Sequence, residues 1–210
     1  IREIDYMVAT HSDNDHIRGL YSLLDLFPVR NFLTLGENSV GKRLKSLQKK
    51  SREKGSEFIP LKLNEPITIG EVRLIPLHPG PDQPSTSSRR IDNDLSLVLR
   101  LEFKDFSMLF TGDISDKIEK VLSASPLQAD ILKGPHHGSR FSNSQVFINA
   151  VHPSTVIFSS GHLNRMRHRP PETLERYRNT GVDIRRTDRH GAIQVITNGN
   201  GYEIHTHEDL

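Results

Sequence analysis

Between Thr10 and Gly19 the sequence reads THSDNDHIRG, which sets His11, Asp13, Asp15 and His16 on one turn directly after the apolar stretch Ile4 to Ala9. Imidazole nitrogens and carboxylate oxygens are side-chain ligands of divalent metal ions. The chain has no cysteine, so any metal must be held by histidine and carboxylates. On a turn that ends a strand, side chains two apart point to one place and the next residues come round to a neighbouring one. A single turn can thus feed two adjacent ions. Capping of a helix that begins near Ile17 would employ one aspartate and leave the second, with both flanking histidines, unexplained.

Further ligand types stand at the ends of other predicted strands. His78 follows the stretch from Val72 to Leu77, Asp113 closes LFTGD, and His136-His137 follow Ile131 to Lys133 in LKGPHHGS. Taken singly, each reads as an ordinary loop residue. With the first turn they place His or Asp at four strand-to-loop junctions, where a sheet fixes the origins of loops that converge on a ligand. Two divalent ions about 3.5–4 Å apart lower the pKa of a shared water and stabilise both the attacking and the leaving oxygen at phosphorus, which is hydrolytic chemistry.

The elements that must position these groups follow from periodicity. Alternation and short apolar runs predict strands at 4–9, 31–35, 67–69, 72–77, 95–103, 106–111, 130–133, 155–159, 182–186, 192–197 and 201–205. Helical spacing covers Ile17 to Leu26, Val40 to Lys54 with Val40, Leu44 and Leu47 on one stripe, Asp116 to Ala124, Ser144 to Ala150, and Glu172 to Thr180 with Pro171 suited to its first turn. The segment from Pro79 to Arg90 is too rich in Pro and Ser for an element and reads as a mobile surface loop. Strands alternating with helices predict a layered α/β arrangement, and without an internal repeat or a dividing linker residues 1–210 read as one domain. No apolar run approaches the roughly 18 residues of a membrane span, so a soluble piece is expected. No signal peptide is visible, and a chain opening on Ile1-Arg2-Glu3 reads as part of something longer.

HxDxDH, TGD and PHHGS, in this order and spacing, resemble the metallo-β-lactamase superfamily, whose usual first motif is HxHxDH. More closely the sequence is similar to the C-terminal domain of the ComEC/Rec2 competence proteins, in which Asp commonly replaces the middle His. Asn93 to Leu99, Leu132 to Ser142, Asn164 to Pro170 and Arg186 to Val195 extend the likeness over most of the chain. The resemblance implies a metallo-β-lactamase-type αββα sandwich, N-terminally truncated because the aspartate that the superfamily supplies on an earlier strand would precede Ile1. It implies two divalent ions: His11, Asp13 and His78 about one, Asp15, His16 and one of His136 or His137 about the other, with Asp113 bridging. The carboxylate of Asp13 in place of an imidazole hardens the first site and favours Mn²⁺ over Zn²⁺, although both suit the donors. Asp15, Asp113, His136, His137 and His168 are the candidate catalytic residues, a histidine outside the ligand set serving to protonate the leaving group. At 164–170 the chain reads Asn-Arg-Met-Arg-His-Arg-Pro, with Arg where the family has Gly and the first Pro.

Net charge is only +2, but it is unevenly spread. Lys42 to Lys54 carries seven basic residues against Glu53, and Lys133 to Arg189 carries ten against four acids, an excess of six. A solvated helix face accounts equally well for the first run. The second lies in loops near the candidate ligands, where Ser139, Arg140, Ser142, Asn164, Arg165 and Arg167 could contact phosphates and Phe141 could stack on a base or join the core. The resemblance implies a nuclease that degrades the non-transported DNA strand during natural transformation, with single-stranded DNA as its substrate. It would be joined to the other domains of a membrane channel protein in the same parent chain, at the periplasmic or extracellular face of the inner membrane. The alternatives are a phosphodiesterase for a small-molecule or cell-wall diester, and a non-catalytic DNA-binding module, which the full ligand set disfavours.

Overall fold

A computed structural model describes residues 1–36, 41–80, 93–161 and 171–207. They form two compact units, Ile1–Glu65 with Pro76–Val98, and Pro66–Ile75 with Leu99–Leu210. In the first unit β1 (Ile4–Val8), β2 (Val29–Leu35) and β3 (Glu57–Leu61) make a parallel sheet in that order. Two helices, α1 (Asn14–Leu26) and α2 (Lys42–Glu53), connect them. Ile17, Leu20, Tyr21 and Leu24 of α1 recur at helical spacing and join Leu44 and Leu47 of α2 over Met7 and Phe32 of the strands. Val40, expected on the α2 stripe, lies outside the described residues.

Two sequence expectations change here. β3 is an additional strand: Pro60 argues against a central strand, yet β3 is at the sheet edge, where a missing N–H is tolerated. Helix α1 starts at Asn14 rather than Ile17, which moves Asp15 and His16 from a preceding loop into its first turn. The basic run on α2 is partly offset by its neighbours, since Lys50 Nζ lies 2.6 Å and Lys54 Nζ 3.4 Å from the Asp25 carboxylate, and Lys49 pairs with Glu53 one turn on. The Asp25 carboxyl is held below its usual pKa chiefly by the Lys50 hydrogen bond.

The second unit is built on a seven-stranded sheet in the order β10-β9-β8-β7-β6-β5-β4. Its strands are β4 (Ile67–Ile69), β5 (Val72–His78), β6 (Val98–Phe103), β7 (Phe106–Phe110), β8 (Ile131–Lys133), β9 (Thr155–Phe158) and β10 (Asp183–Arg186); the end of β5, Pro76 to His78, belongs to the first unit. A hairpin of β11 (Ile193–Thr197) and β12 (Tyr202–Thr206) lays Ile193, Val195, Tyr202 and Ile204 over Phe106, Ile131 and Ile157. Strands β7 to β10 run parallel, with Phe110 opposite Lys133, Lys133 opposite Ile157 and Phe158 opposite Arg186. Their C-terminal ends therefore share one edge, and the segments after Phe110, Lys133, Phe158 and Arg186 leave from it together. That edge is where open α/β sheets bind ligands.

Helices α3 (Asp116–Leu122), α4 (Gln145–Val151), α5 (Pro171–Arg178) and α6 (Thr187–His190) complete the unit, α5 beginning on Pro171 as expected. Strand β6 begins at Val98, not 95, because Asn93 to Leu97 turns back to bond other loops. Among the described residues no helix is long and apolar enough to cross a membrane. Residues 81–92, most of the expected surface loop, lie outside the described residues, as do Asn164, Arg165, Arg167 and His168.

One glycine at the shared edge has no freedom to change. A Cβ on Gly134 would stand 2.2 Å from the Cε1 of Phe158, a fully buried ring packed edge-on against Tyr177 at 5.5 Å. Gly134→Ala is expected to cost about 1–3 kcal/mol by overpacking. Thermal unfolding of the metal-free protein checks it, and an unchanged Tm would refute the close packing of this edge.

Candidate functional site

In the first unit β1 delivers its chain into Thr10-His11-Ser12-Asp13 and then α1. Asp13 occupies the N-cap position, and its backbone carbonyl accepts from the amides of His16 and Ile17, but its side chain makes no capping bond. The capping explanation therefore does not account for its carboxylate. His11 is buried, with Nδ1 3.0 Å from the Thr10 hydroxyl and its ring 4.1 Å from that of His16. Asp15 is exposed beside His16, where the helix N-terminus favours its charge. His78 is buried at the end of β5, and its Nε2 donates to the Asp94 carbonyl at 2.7 Å. Burial pulls the His78 pKa down against the opposing effect of Asp94, and with the proton on Nε2 the neutral form of the ring carries its lone pair on Nδ1. The Asn93 to Leu97 segment that supplies this carbonyl is tied to the His11 turn by Leu97 N–H to Thr10 O at 2.9 Å.

In the second unit the edge segments bring Asp113, His136 and His137 together. Asp113 is only 2 % exposed. The Nε2 atoms of His136 and His137 stand 3.8 and 3.6 Å from the same carboxylate oxygen, Oδ2. These separations are too long for hydrogen bonds. They are close to the spacing of about 3.4 Å that metal–ligand bonds of 2.0–2.1 Å impose on donors sharing one tetrahedral ion. His137 Nδ1 is 2.7 Å from the Ser159 carbonyl. A carbonyl only accepts, so Nδ1 carries a proton, and in the neutral ring Nε2 presents its lone pair toward Asp113. Metal-ligating histidines are oriented in this way, by a second nitrogen donating to a backbone oxygen. In both units the donor set fits a hard or borderline divalent ion.

The double-histidine turn is Pro135–Gly138, a short 3-10 element in which His136 and His137 have φ of 46° and 53°. Two consecutive non-glycine residues in the left-handed region each carry strain of about 1–2 kcal/mol and persist only where the surroundings over-determine them. His136 N–H donates to Gly112 O at 3.1 Å, which ties the turn to the Asp113 corner, and Thr111 Oγ1 donates to Lys133 O at 2.7 Å. Burial pushes the Lys133 ammonium pKa down while the charge of Asp113 holds it up.

The expected phosphate contacts divide. Ser142 is buried and its hydroxyl donates to Ile114 O at 2.7 Å; Ser139 is buried and its hydroxyl accepts from the Phe141 amide. Arg140 and Phe141 differ: Phe141 is 58 % exposed and the Arg140 guanidinium lies 5.0 Å from its ring centre. Arg185 and Arg186 pair with Asp183 and Asp188 at 2.7 Å, and Arg176 bonds a backbone oxygen, so the basic excess seen in the sequence is partly consumed within the unit. Sequence reading missed the carbonyls of Asp94 and Ser159, which any residue type supplies, and Asn143, whose place in a Ser-rich run is its only signal.

The sequence model of the metallo-β-lactamase superfamily matches residues 1–162. ComE operon protein 3 of Bacillus subtilis is 33% identical over 197 residues, which cover 92% of this chain and 25% of that protein. Competence protein ComA of Neisseria gonorrhoeae is 37% identical over 115 residues, covering 53% of this chain and 17% of that one. The chain thus spans a quarter or less of these ComEC/Rec2-type relatives. Among solved structures, the metallo-β-lactamase fold protein YhfI from Bacillus subtilis superposes with a TM-score of 0.51 at 12% identity, over 87% of this chain and 74% of that one. With HxDxDH after β1, TGD after β7 and PHHGS after β8, each at the end of a parallel strand, the chain belongs to the metallo-β-lactamase superfamily, whose fold it shares.

Proposed function

We propose that the chain is a metal-dependent DNA phosphodiesterase, the nuclease part of a longer DNA-uptake protein, acting on the strand that is not transported. In this reading His11, Asp13 and His78 would hold one divalent ion, Asp15, His16 and His137 would hold a second, and Asp113 would be shared. Bound there, the ions would supply an activated water and charge stabilisation at phosphorus. Mn²⁺ is the favoured ion because carboxylates outnumber what an all-imidazole zinc site would carry. His136 would protonate the leaving oxygen, and Arg140 with Phe141 would offer a cation and an aromatic face to a single strand. The observation that carries the reading is the grouping of Asp113, His136 and His137 beside the exposed Arg140–Phe141 pair. That a relative is a competence protein supports DNA as the polymer.

A small phosphodiester is the second reading, favoured by the internal pairing of Arg185 and Arg186. Salt separates the two. With Mn²⁺ present, KM for single-stranded DNA is expected to rise roughly tenfold between 50 and 200 mM salt as phosphate contacts are screened, while hydrolysis of bis(p-nitrophenyl) phosphate barely changes. Equal responses would refute DNA as the substrate, and no hydrolysis of either in any divalent ion would refute the enzyme.

A further inference from the structure

The strained double-histidine turn is held from behind by a buried polar network that no ligand motif includes. Asn143 is fully buried, and its side-chain Nδ2 donates to the carbonyls of Pro135 at 3.1 Å and Ser139 at 3.2 Å, the two oxygens that flank His136-His137-Gly138. One amide group therefore closes both ends of the turn. Asn143 itself has φ of 64°, a conformation that Asn and Asp adopt more readily than other side chains.

Three further groups fix Asn143. Tyr177 Oη on α5 donates to its Oδ1 at 2.9 Å, which leaves Nδ2 committed to the turn. Arg176, also on α5, donates to its backbone carbonyl at 2.9 Å. Glu119 on α3, fully buried, accepts from the Asn143 amide with Oε1 and from the Ser144 amide at 2.8 Å with Oε2. Helices α3 and α5 thus grip one residue, which in turn grips the histidine turn. A buried carboxylate and a buried phenol are costly to desolvate, and apolar packing would seat a loop more cheaply. Their geometric product is a set position for the two Nε2 atoms that face Asp113.

We propose that Asn143 is the positioning residue of the double-histidine turn, held for that task by Glu119, Tyr177 and Arg176. The proposal rests on the metal reading of His137 for its consequence in binding, and on the hydrogen bonds alone for its consequence in the turn. The informative variant is Asn143→Asp, which keeps the size, tolerates the same φ and retains an acceptor for Tyr177, but has no donor for Pro135 and Ser139. In the metal-free protein, amide hydrogen exchange across residues 136–139 is expected to accelerate by about 10–100-fold while exchange in β1 to β3 is unchanged. In titrations with Mn²⁺ alone, affinity should weaken by about 10–100-fold, as it does when the groups that orient ligands are lost. With bis(p-nitrophenyl) phosphate at saturating Mn²⁺, kcat should fall and KM stay constant.

Tyr177→Phe provides the second test, since the ring still packs on Phe158 and only the hydroxyl is lost. It should shift turn exchange and Mn²⁺ affinity in the same direction by about 3- to 10-fold. Should both variants lower Tm yet leave turn exchange and Mn²⁺ affinity within twofold of the parent, the network would be mere scaffolding and the proposal overturned. If the parent bound no Mn²⁺ while the exchange result held, the metal reading would fail and the positioning role would stand.

Discussion

Asp113→Ala is expected to reduce Mn²⁺-dependent cleavage of single-stranded DNA by at least about 10³-fold in kcat/KM, or some 4 kcal/mol of transition-state stabilisation. The argument is electrostatic. Asp113 is the buried anion at the centre of the second unit's cluster, with two imidazole nitrogens aimed at one of its oxygens and the Lys133 ammonium held nearby. Without its carboxylate the site loses a proposed ligand and the group that favours the charged form of Lys133. Asp113→Asn keeps the shape and removes the charge, so it should be nearly as damaging, whereas a steric role would be largely rescued by it. The measurement is hydrolysis of single-stranded DNA and of bis(p-nitrophenyl) phosphate across a Mn²⁺ titration, with circular dichroism to establish that each variant is folded. An Asp113→Ala protein that is folded and retains more than a tenth of the parent activity would remove Asp113 from the chemistry.

The elements were legible where the local signal was long enough. Strands such as Val72–His78 and Phe106–Phe110 carry short apolar runs and stand within a residue of their expected ends. What escaped was short or contradictory locally: β3 carries Pro60 and only its edge position makes that harmless, while Pro135–Gly138 and Thr187–His190 are single turns with no periodicity to detect. The start of α1 was misplaced because Asp13, Asn14 and Asp15 all suit a cap, and composition alone cannot choose among them.

The site divides along the same line. Its titratable side chains announce themselves by type, since a cluster such as His11, Asp13, Asp15 and His16 has no ordinary use in a core. The groups that aim them are mostly backbone carbonyls, Asp94 for His78 and Ser159 for His137, and a carbonyl leaves no mark in the sequence. Sequence charge overstates the free basic surface for a related reason. Formal counting treats Arg176, Arg185 and Arg186 as available to a polyanion, but each has a partner in the fold, and only pairing distances reveal it.

The two adjacent histidines should separate experimentally, and by a large factor. His137→Ala is expected to weaken Mn²⁺ binding by more than about 100-fold, beyond the range for groups that merely orient ligands. His136→Ala should weaken it by less than about tenfold. The asymmetry comes from the Ser159 carbonyl, which holds a proton of His137 on Nδ1 and turns its Nε2 toward Asp113, and from the greater exposure of the His136 ring. If it is the proposed proton donor to the leaving group, His136 should instead show itself through substrate choice. DNA expels a poorly stabilised alkoxide and needs that proton, so His136→Ala should lower kcat on DNA by about 10²-fold. A p-nitrophenolate departs without protonation, and on bis(p-nitrophenyl) phosphate the same variant should stay within a few-fold of the parent. Equal losses of Mn²⁺ affinity in the two variants would make both histidines ligands, and a larger loss in His136→Ala would reverse the assignment that the Ser159 hydrogen bond supports.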